Sequence, residues 1–97
     1  MKFKENLVEI MKQEKVAVLC DTEEKARALL EELDKCGVCW FDGDRASVHP
    51  FWNIFKKDTC YNINDGCVWY SLRGSYASKG YRIIEFEELL EKETTLI

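Results

Sequence analysis

Five cysteines and a single histidine are the side chains of this 97-residue sequence whose types and spacing could do chemistry. Cys36-Gly37-Val38-Cys39 is a C-x2-C pair with glycine inside, the spacing of a zinc knuckle. A second C-x2-C about 15–20 residues on would complete a zinc motif, whereas the later cysteines, Cys60 and Cys67, stand seven apart. Other catalytic signatures are missing. The sequence has no G-x-S-x-G, no H-E-x-x-H and no phosphate-cradling glycine loop. His49 precedes Pro50 in a loop-like stretch, and the glycines at 74 and 80 read as turn residues. The chain is therefore expected not to be an enzyme.

Where the thiols meet depends on the elements that position them, above all on Asp58 to Arg73. Two runs rich in Tyr, Ile, Val and Trp flank Asn64-Asp65-Gly66. Asp-Gly between alternating apolar residues predicts a hairpin, because both central residues of a type I′ turn need positive φ. With Asp65-Gly66 as the loop, Asn64 faces Cys67, Asn62 faces Trp69 and Cys60 faces Ser71. Tyr61, Ile63, Val68 and Tyr70 then share the core side. Cys60 lies four residues beyond the position facing Cys67, roughly 13 Å at ~3.3 Å per residue, too far for one tetrahedral zinc.

With the Val38 strand antiparallel to the Asp58 strand, Cys36, Cys39 and Cys67 would gather at one end of the sheet as a candidate structural zinc site. Cys20, Cys60 and His49 would form a second grouping at the other end. The competing reading is that these are buried reduced thiols, since free cysteine packs as a small hydrophobe. Redox chemistry has the least support, because Cys36 closes a helix, whereas a thioredoxin-type C-x-x-C opens one.

The remaining elements follow from periodicity. Phe3, Leu7, Ile10 and Met11 fall at helical spacing. Lys15 to Cys20 is a β-branched run expected to be a strand buried on both faces. Asp21 or Thr22 caps a helix whose stripe is Ala26, Leu29, Leu30 and Leu33 and whose C′ residue is Gly37. Val38 to Asp42 returns as a strand. Pro50 excludes a central strand between Arg45 and Lys57, where Phe51, Trp52, Ile54 and Phe55 suit a helical turn or an apolar loop. Residues 74–80 read as turn, Tyr81 to Phe86 as a strand and Phe86 to Lys92 as a last helical turn or two. The order predicts a single α+β domain over residues 1–97. Its sheet has four to five strands, with a β-α-β start and then an antiparallel meander holding the hairpin at 58–73, packed by one main helix.

Composition bounds the partners. At 46% hydrophobic and 12% aromatic the chain is globular. No apolar run approaches the roughly 20 residues of a membrane span, and no signal-peptide core is present, so a cytoplasmic location is expected. The net charge of −4 is uneven: −2 over residues 1–35, +2 over 36–82 and −4 over 83–97. That balance argues against direct nucleic-acid binding and suits docking onto a basic protein surface. Trp40, Trp52, Trp69, Tyr61, Tyr70, Tyr76 and Tyr81 crowd the middle of the chain with Arg45, Arg73 and Arg82, the residue types of binding hot spots. Period two puts Trp69 on the face away from Tyr70, exposed with Asn62 and Ser71, or else packed under the Phe51–Phe55 loop.

The arrangement KVAVLCDTEEKARALLEEL, CGVCWFDGD, DTCYNIND and GYRIIEFEEL resembles small proteins of phages and prophages of low-GC Gram-positive bacteria. Some of these inhibit host defence, anti-CRISPR proteins among them. The similarity covers most of residues 15–90 and its motifs are structural. It implies a phage-encoded, non-enzymatic inhibitor that binds a type II CRISPR effector nuclease in the infected host and blocks nucleic-acid loading or cleavage. Such a nuclease has basic channels for guide and target DNA. Trp69, Tyr76, Arg73, Glu87 and Glu88 are the expected partner-binding residues. A zinc-stabilised accessory domain that binds a protein or peptide is the alternative, and a single-stranded nucleic-acid binder with a stacking aromatic face is a third.

Overall fold

The structure is a computed structural model that describes residues 2–92. It is an α+β fold on one mixed five-stranded sheet. A short helix α1 (Leu7–Met11) leads into β1 (Val16–Leu19), the main helix α2 (Glu23–Lys35) and β2 (Cys39–Trp40). A 3₁₀ turn at Ala46–Val48, helix α3 (Trp52–Phe55) and a second 3₁₀ turn lead to β3 (Thr59–Asn64) and β4 (Cys67–Leu72). Helix α4 (Arg73–Ser78), β5 (Arg82–Glu85) and a 3₁₀ turn at Phe86–Leu89 complete the order. No described helix is long and apolar enough to cross a membrane.

Local chemistry accounts for the clearest elements. Thr22 caps α2, its hydroxyl accepting from the Lys25 amide at 3.2 Å, while Asp21 pairs with the Lys25 ammonium at 2.7 Å. At the other end Val38 N–H donates to Leu33 C=O and Gly37 N–H to Asp34 C=O, both at 3.0 Å, with Gly37 at φ +78°. That is a Schellman stop, and it needs the left-handed residue that glycine supplies. In the hairpin, Asp65 at φ +54° and Gly66 at φ +76° make the expected turn. Asn64 pairs with Cys67, Asn62 with Trp69 and Cys60 with Ser71, as the sequence predicts.

The sheet order β2-β4-β3-β1-β5 departs from the predicted arrangement. β1 and β2 run in the same direction, but the antiparallel β3–β4 hairpin lies between them, so the β-α-β start is split. The Val38 strand pairs parallel with β4, not antiparallel with β3, and is only two residues long. No meander follows the hairpin: β5 crosses to the far edge and pairs parallel with β1. Such a crossover needs a connection over a sheet face, which explains why 73–78 is a helix and not a turn.

β1 is buried on both faces and divides the interior. Val16 and Val18 join α1, α2, Tyr61, Ile63, Val68 and Trp40 in the main core. Ala17 and Leu19 pack on the opposite side with Cys60 and Tyr76 of α4. Asn62 lies on that second face and is buried under α4, where it accepts the Tyr76 hydroxyl at 2.5 Å. Asn62 is thus not exposed beside Trp69, contrary to expectation. Helix α4 lies over the back of β1, β3 and β5 and leaves Trp69, on the back of β4, exposed.

Candidate functional site

Aromatic surface collects at the sheet edge where β2 ends beside β4, and the segment 45–58 shapes its main-core side. That segment has no strand to satisfy its backbone, and core side chains do so instead. Trp40 Nε1 donates to Ala46 C=O at 2.9 Å and the Tyr61 hydroxyl to Pro50 C=O, while the segment's own Trp52 ties it down from the other side, its Nε1 donating to Cys20 C=O at 2.9 Å. Asp34 pins the start of the segment, accepting from the Ser47 amide at 3.2 Å and from the Ser47 hydroxyl, with Arg45 Nη2 at 3.7 Å. A carboxylate in the last turn of α2 opposes the helix dipole, and these donors are what holds it there.

So tethered, the segment lays Phe51 flat on Tyr70, ring centroids 4.6 Å apart and 3° from parallel. Trp40 meets both rings edge-on, at 5.0 Å and 5.9 Å. Phe51 reaches this position at φ +57°. A bulky side chain is seldom held in that region, at a cost of roughly 1–3 kcal/mol that the surrounding packing must outweigh. Across from this stack, Phe41 tilts against Trp69 at 5.5 Å. Between them runs a groove of about 230 Å³, lined also by Asp42, His49 and Val68. Val68 and Trp40 are buried, while Phe41 is 76% and Trp69 40% exposed. His49 rests on Phe51 and turns Nε2 to Asp44 Oδ2 at 3.2 Å.

Of the residues the sequence singles out, Trp69 is at this groove, on the face away from the loop. Tyr70, not Trp69, packs under Phe51 and Phe55. The other predicted partner residues are elsewhere. Tyr76 is buried in the second core, so its ring is not a contact surface. Arg73 is exposed at the start of α4. Glu87 and Glu88 follow β5 at the opposite edge of the sheet, exposed but each engaged by a neighbouring group. Glu87 pairs with Lys25 at 2.8 Å, and Glu88 accepts the Glu85 amide at 2.8 Å in a capping box. The five residues do not form one surface.

The cysteine sets also separate. Cys39 and Cys67 are register partners on adjacent strands, but Cys36 is exposed at the end of α2, beyond the Gly37 turn. Cys20 and Cys60 are buried neighbours of the β1–β3 ladder, while His49 is turned to Asp44. Among the described residues no three His, Cys, Asp or Glu side chains form a metal-binding group. All five thiols are free. Burial pushes the Cys60 thiol up to about 12 and raises Cys20 as well. Because a reagent must reach a thiol before it can react, a thiol-reactive disulfide reagent should modify the exposed Cys36 first and the half-buried Cys39 and Cys67 next. Cys20 and Cys60 should react only on unfolding. Mass-mapped labelling over time checks this order, and zinc that slowed labelling of Cys36, Cys39 and Cys67 together would restore the three-thiolate site.

Asp34 gives the groove's support a pH dependence. Burial raises its carboxyl, but hydrogen bonds from the Ser47 hydroxyl and amide, helped by Arg45 and the Ala46 amide, outweigh this and hold it below the ordinary carboxylate value. A depressed folded-state value stabilises above the unfolded value of about 3.9, and the stabilisation disappears as pH falls through the folded one. The melting temperature should therefore drop on acidification below about pH 4. Asp34→Asn should lower it at neutral pH and flatten that acid drop. The flattening will be partial, because Asp21 is lowered by its bond to Lys25 and titrates with the same sign.

No protein-family model, curated protein sequence or solved structure matches this chain. Sequence reasoning missed Phe41, Asp42 and Phe51 as groove residues. The available signal was in Trp40-Phe41-Asp42-Gly43-Asp44, where period two sends Trp40 into the core and Phe41 outward, just before a turn.

Proposed function

We propose that this protein is a non-enzymatic binding module that acts by occupying a protein partner, with the groove at the end of β2, beside β4, as its docking surface. The observation that carries this reading is the exposed Phe41–Trp69 pair beside the stacked Phe51–Tyr70 wall. Folded domains seldom leave large aromatic side chains clustered in water, and such patches mark interaction sites. The left-handed backbone at Phe51 fits the same reading, since local strain concentrates at ligand-contacting positions. Occupancy rather than catalysis is favoured because the groove's lining is mainly aromatic and apolar, the character of a contact surface.

The resemblance to phage-encoded inhibitors supplies the partner to test: a type II CRISPR effector nuclease of a Gram-positive host. The purified chain should co-elute with the effector at near-equal stoichiometry and suppress DNA cleavage when added before the guide or the target. Effector that elutes alone, with cleavage unaffected, would remove that partner. Binding to isolated nucleic acid that weakens steeply with salt would instead favour the single-stranded nucleic-acid reading.

A further inference from the structure

The groove has a feature that a plain apolar slot would lack, a carboxylate among its aromatic walls. Asp42 Oδ1 accepts the Asp44 amide at 3.0 Å, which fixes the side chain in the turn after β2. The neighbouring charges are all engaged: Asp44 with His49, and Arg45 with Asp34. Among the described residues Asp42 forms no ion pair. An apolar occupant would strip water from this carboxylate without replacing its hydrogen bonds, which is unfavourable. An anionic occupant would face both the carboxylate and the negative ring faces. A cation meets both demands, since aromatic faces attract positive charge. The volume of about 230 Å³ is below the roughly 300–1,000 Å³ of small-molecule sites, and it suits one side chain.

We propose that the groove receives an arginine side chain of the protein partner, its guanidinium lying against Trp69 and Phe41 and its N–H fork directed to Asp42. Arginine is chosen over lysine because its flat, weakly hydrated cation can stack and donate in a fork at once, whereas an ammonium is a strongly hydrated point charge. The assignment rests on the protein-binding reading above and gives its chemistry.

The test uses N-acetyl-arginine amide, its uncharged shape analogue N-acetyl-citrulline amide and N-acetyl-lysine amide, titrated into isotope-labelled protein. The three tryptophan indole N–H signals report position. The arginine probe should shift Trp40 and Trp69 saturably and leave Trp52, which bonds to Cys20 C=O outside the groove, unmoved. Citrulline and lysine should bind about 5-fold more weakly or worse. Asp42→Asn keeps the oxygen that accepts the Asp44 amide, so the turn should persist while arginine affinity falls to the citrulline level. Equal affinities for arginine and citrulline, equal affinities for arginine and lysine, or arginine binding indifferent to Asp42→Asn would each overturn the assignment. Should any of these occur while Trp69→Ala still loses the protein partner, the arginine assignment falls alone and the docking surface stands.

Discussion

Replacing Trp40 with alanine is expected to remove roughly 3–5 kcal/mol of folding stability, the range for deleting a buried aromatic ring from a packed core. A domain of this size has about 5–15 kcal/mol in total, and each kcal/mol shifts the melting temperature by roughly 4–8 °C. The variant should therefore melt at least about 12 °C lower. The reason is that β2 is a two-residue edge strand with little ladder of its own. What fastens it is the Trp40 ring, packed against Phe51, Tyr61 and Tyr70, and its Nε1–H donating to Ala46 C=O. Trp40→Phe should retain much of the packing but leave that carbonyl unsatisfied, at about 1–3 kcal/mol. Urea unfolding of the three proteins measures both steps. A loss under about 1 kcal/mol for Trp40→Ala would show that the 45–51 segment is held by something other than this ring.

The same ring shows where sequence reasoning succeeds and where it stops. The hairpin register was legible because turn chemistry and period two are local: Asp65 and Gly66 impose the turn, and every pairing then follows. The α2 helix was legible for the same reason, from the Thr22 cap to the Gly37 stop. Strand adjacency is not local. Nothing in KVAVLC or in the closing YRIIEF says that these runs lie side by side in parallel, with a hairpin on the other side of β1. That arrangement depends on what covers each sheet face, and the covering element was hidden. Arg-Gly-Ser-Tyr-Ala-Ser has poor helix propensity, yet it is helical because Tyr76 finds Ala17, Leu19 and Cys60 beneath it. The same burial takes Tyr76 out of the predicted contact set.

At the site, alternation put Trp69 opposite Tyr70 but left open whether it was exposed or lay under the 51–55 loop; the structure has it exposed and Tyr70 under the loop. Phe41 was hidden because residues 38–42 read as one strand, whereas pairing ends at Trp40. The strand ends there because the chain turns back at once: Gly43 N–H donates to Trp40 C=O and Trp40 N–H to Asp44 C=O, both at 2.9 Å. The C-x2-C spacing meets a related turn. The C-x2-C of a zinc knuckle brings both thiols to one side of a tight turn. Here the Schellman stop at Gly37 leaves Cys36 on the helix end while Cys39 has already entered the sheet.

Removing the exposed aromatic pair should separate binding from folding. Phe41→Ala and Trp69→Ala are each expected to weaken partner binding by about 30-fold or more, the effect of a hot-spot residue. The double variant should lose less than the product of the two, since the rings touch and report one contact. Stability should change little for Phe41→Ala, whose side chain is 76% exposed, because surface substitutions usually stay within about 0.5 kcal/mol. Trp69→Ala should cost slightly more, since its Nε1–H donates to Asn64 C=O at 3.2 Å beside the hairpin turn. Ile54→Ala and Leu72→Ala are the controls. Both positions are exposed and apolar, but neither lines the groove, so neither should affect affinity. Affinity measured by calorimetry beside melting temperature decides the matter. Losses confined to Phe41 and Trp69 would fix the docking surface at the end of β2, beside β4. Equal losses at Ile54 or Leu72 would mean that general apolar stickiness, not this groove, holds the partner.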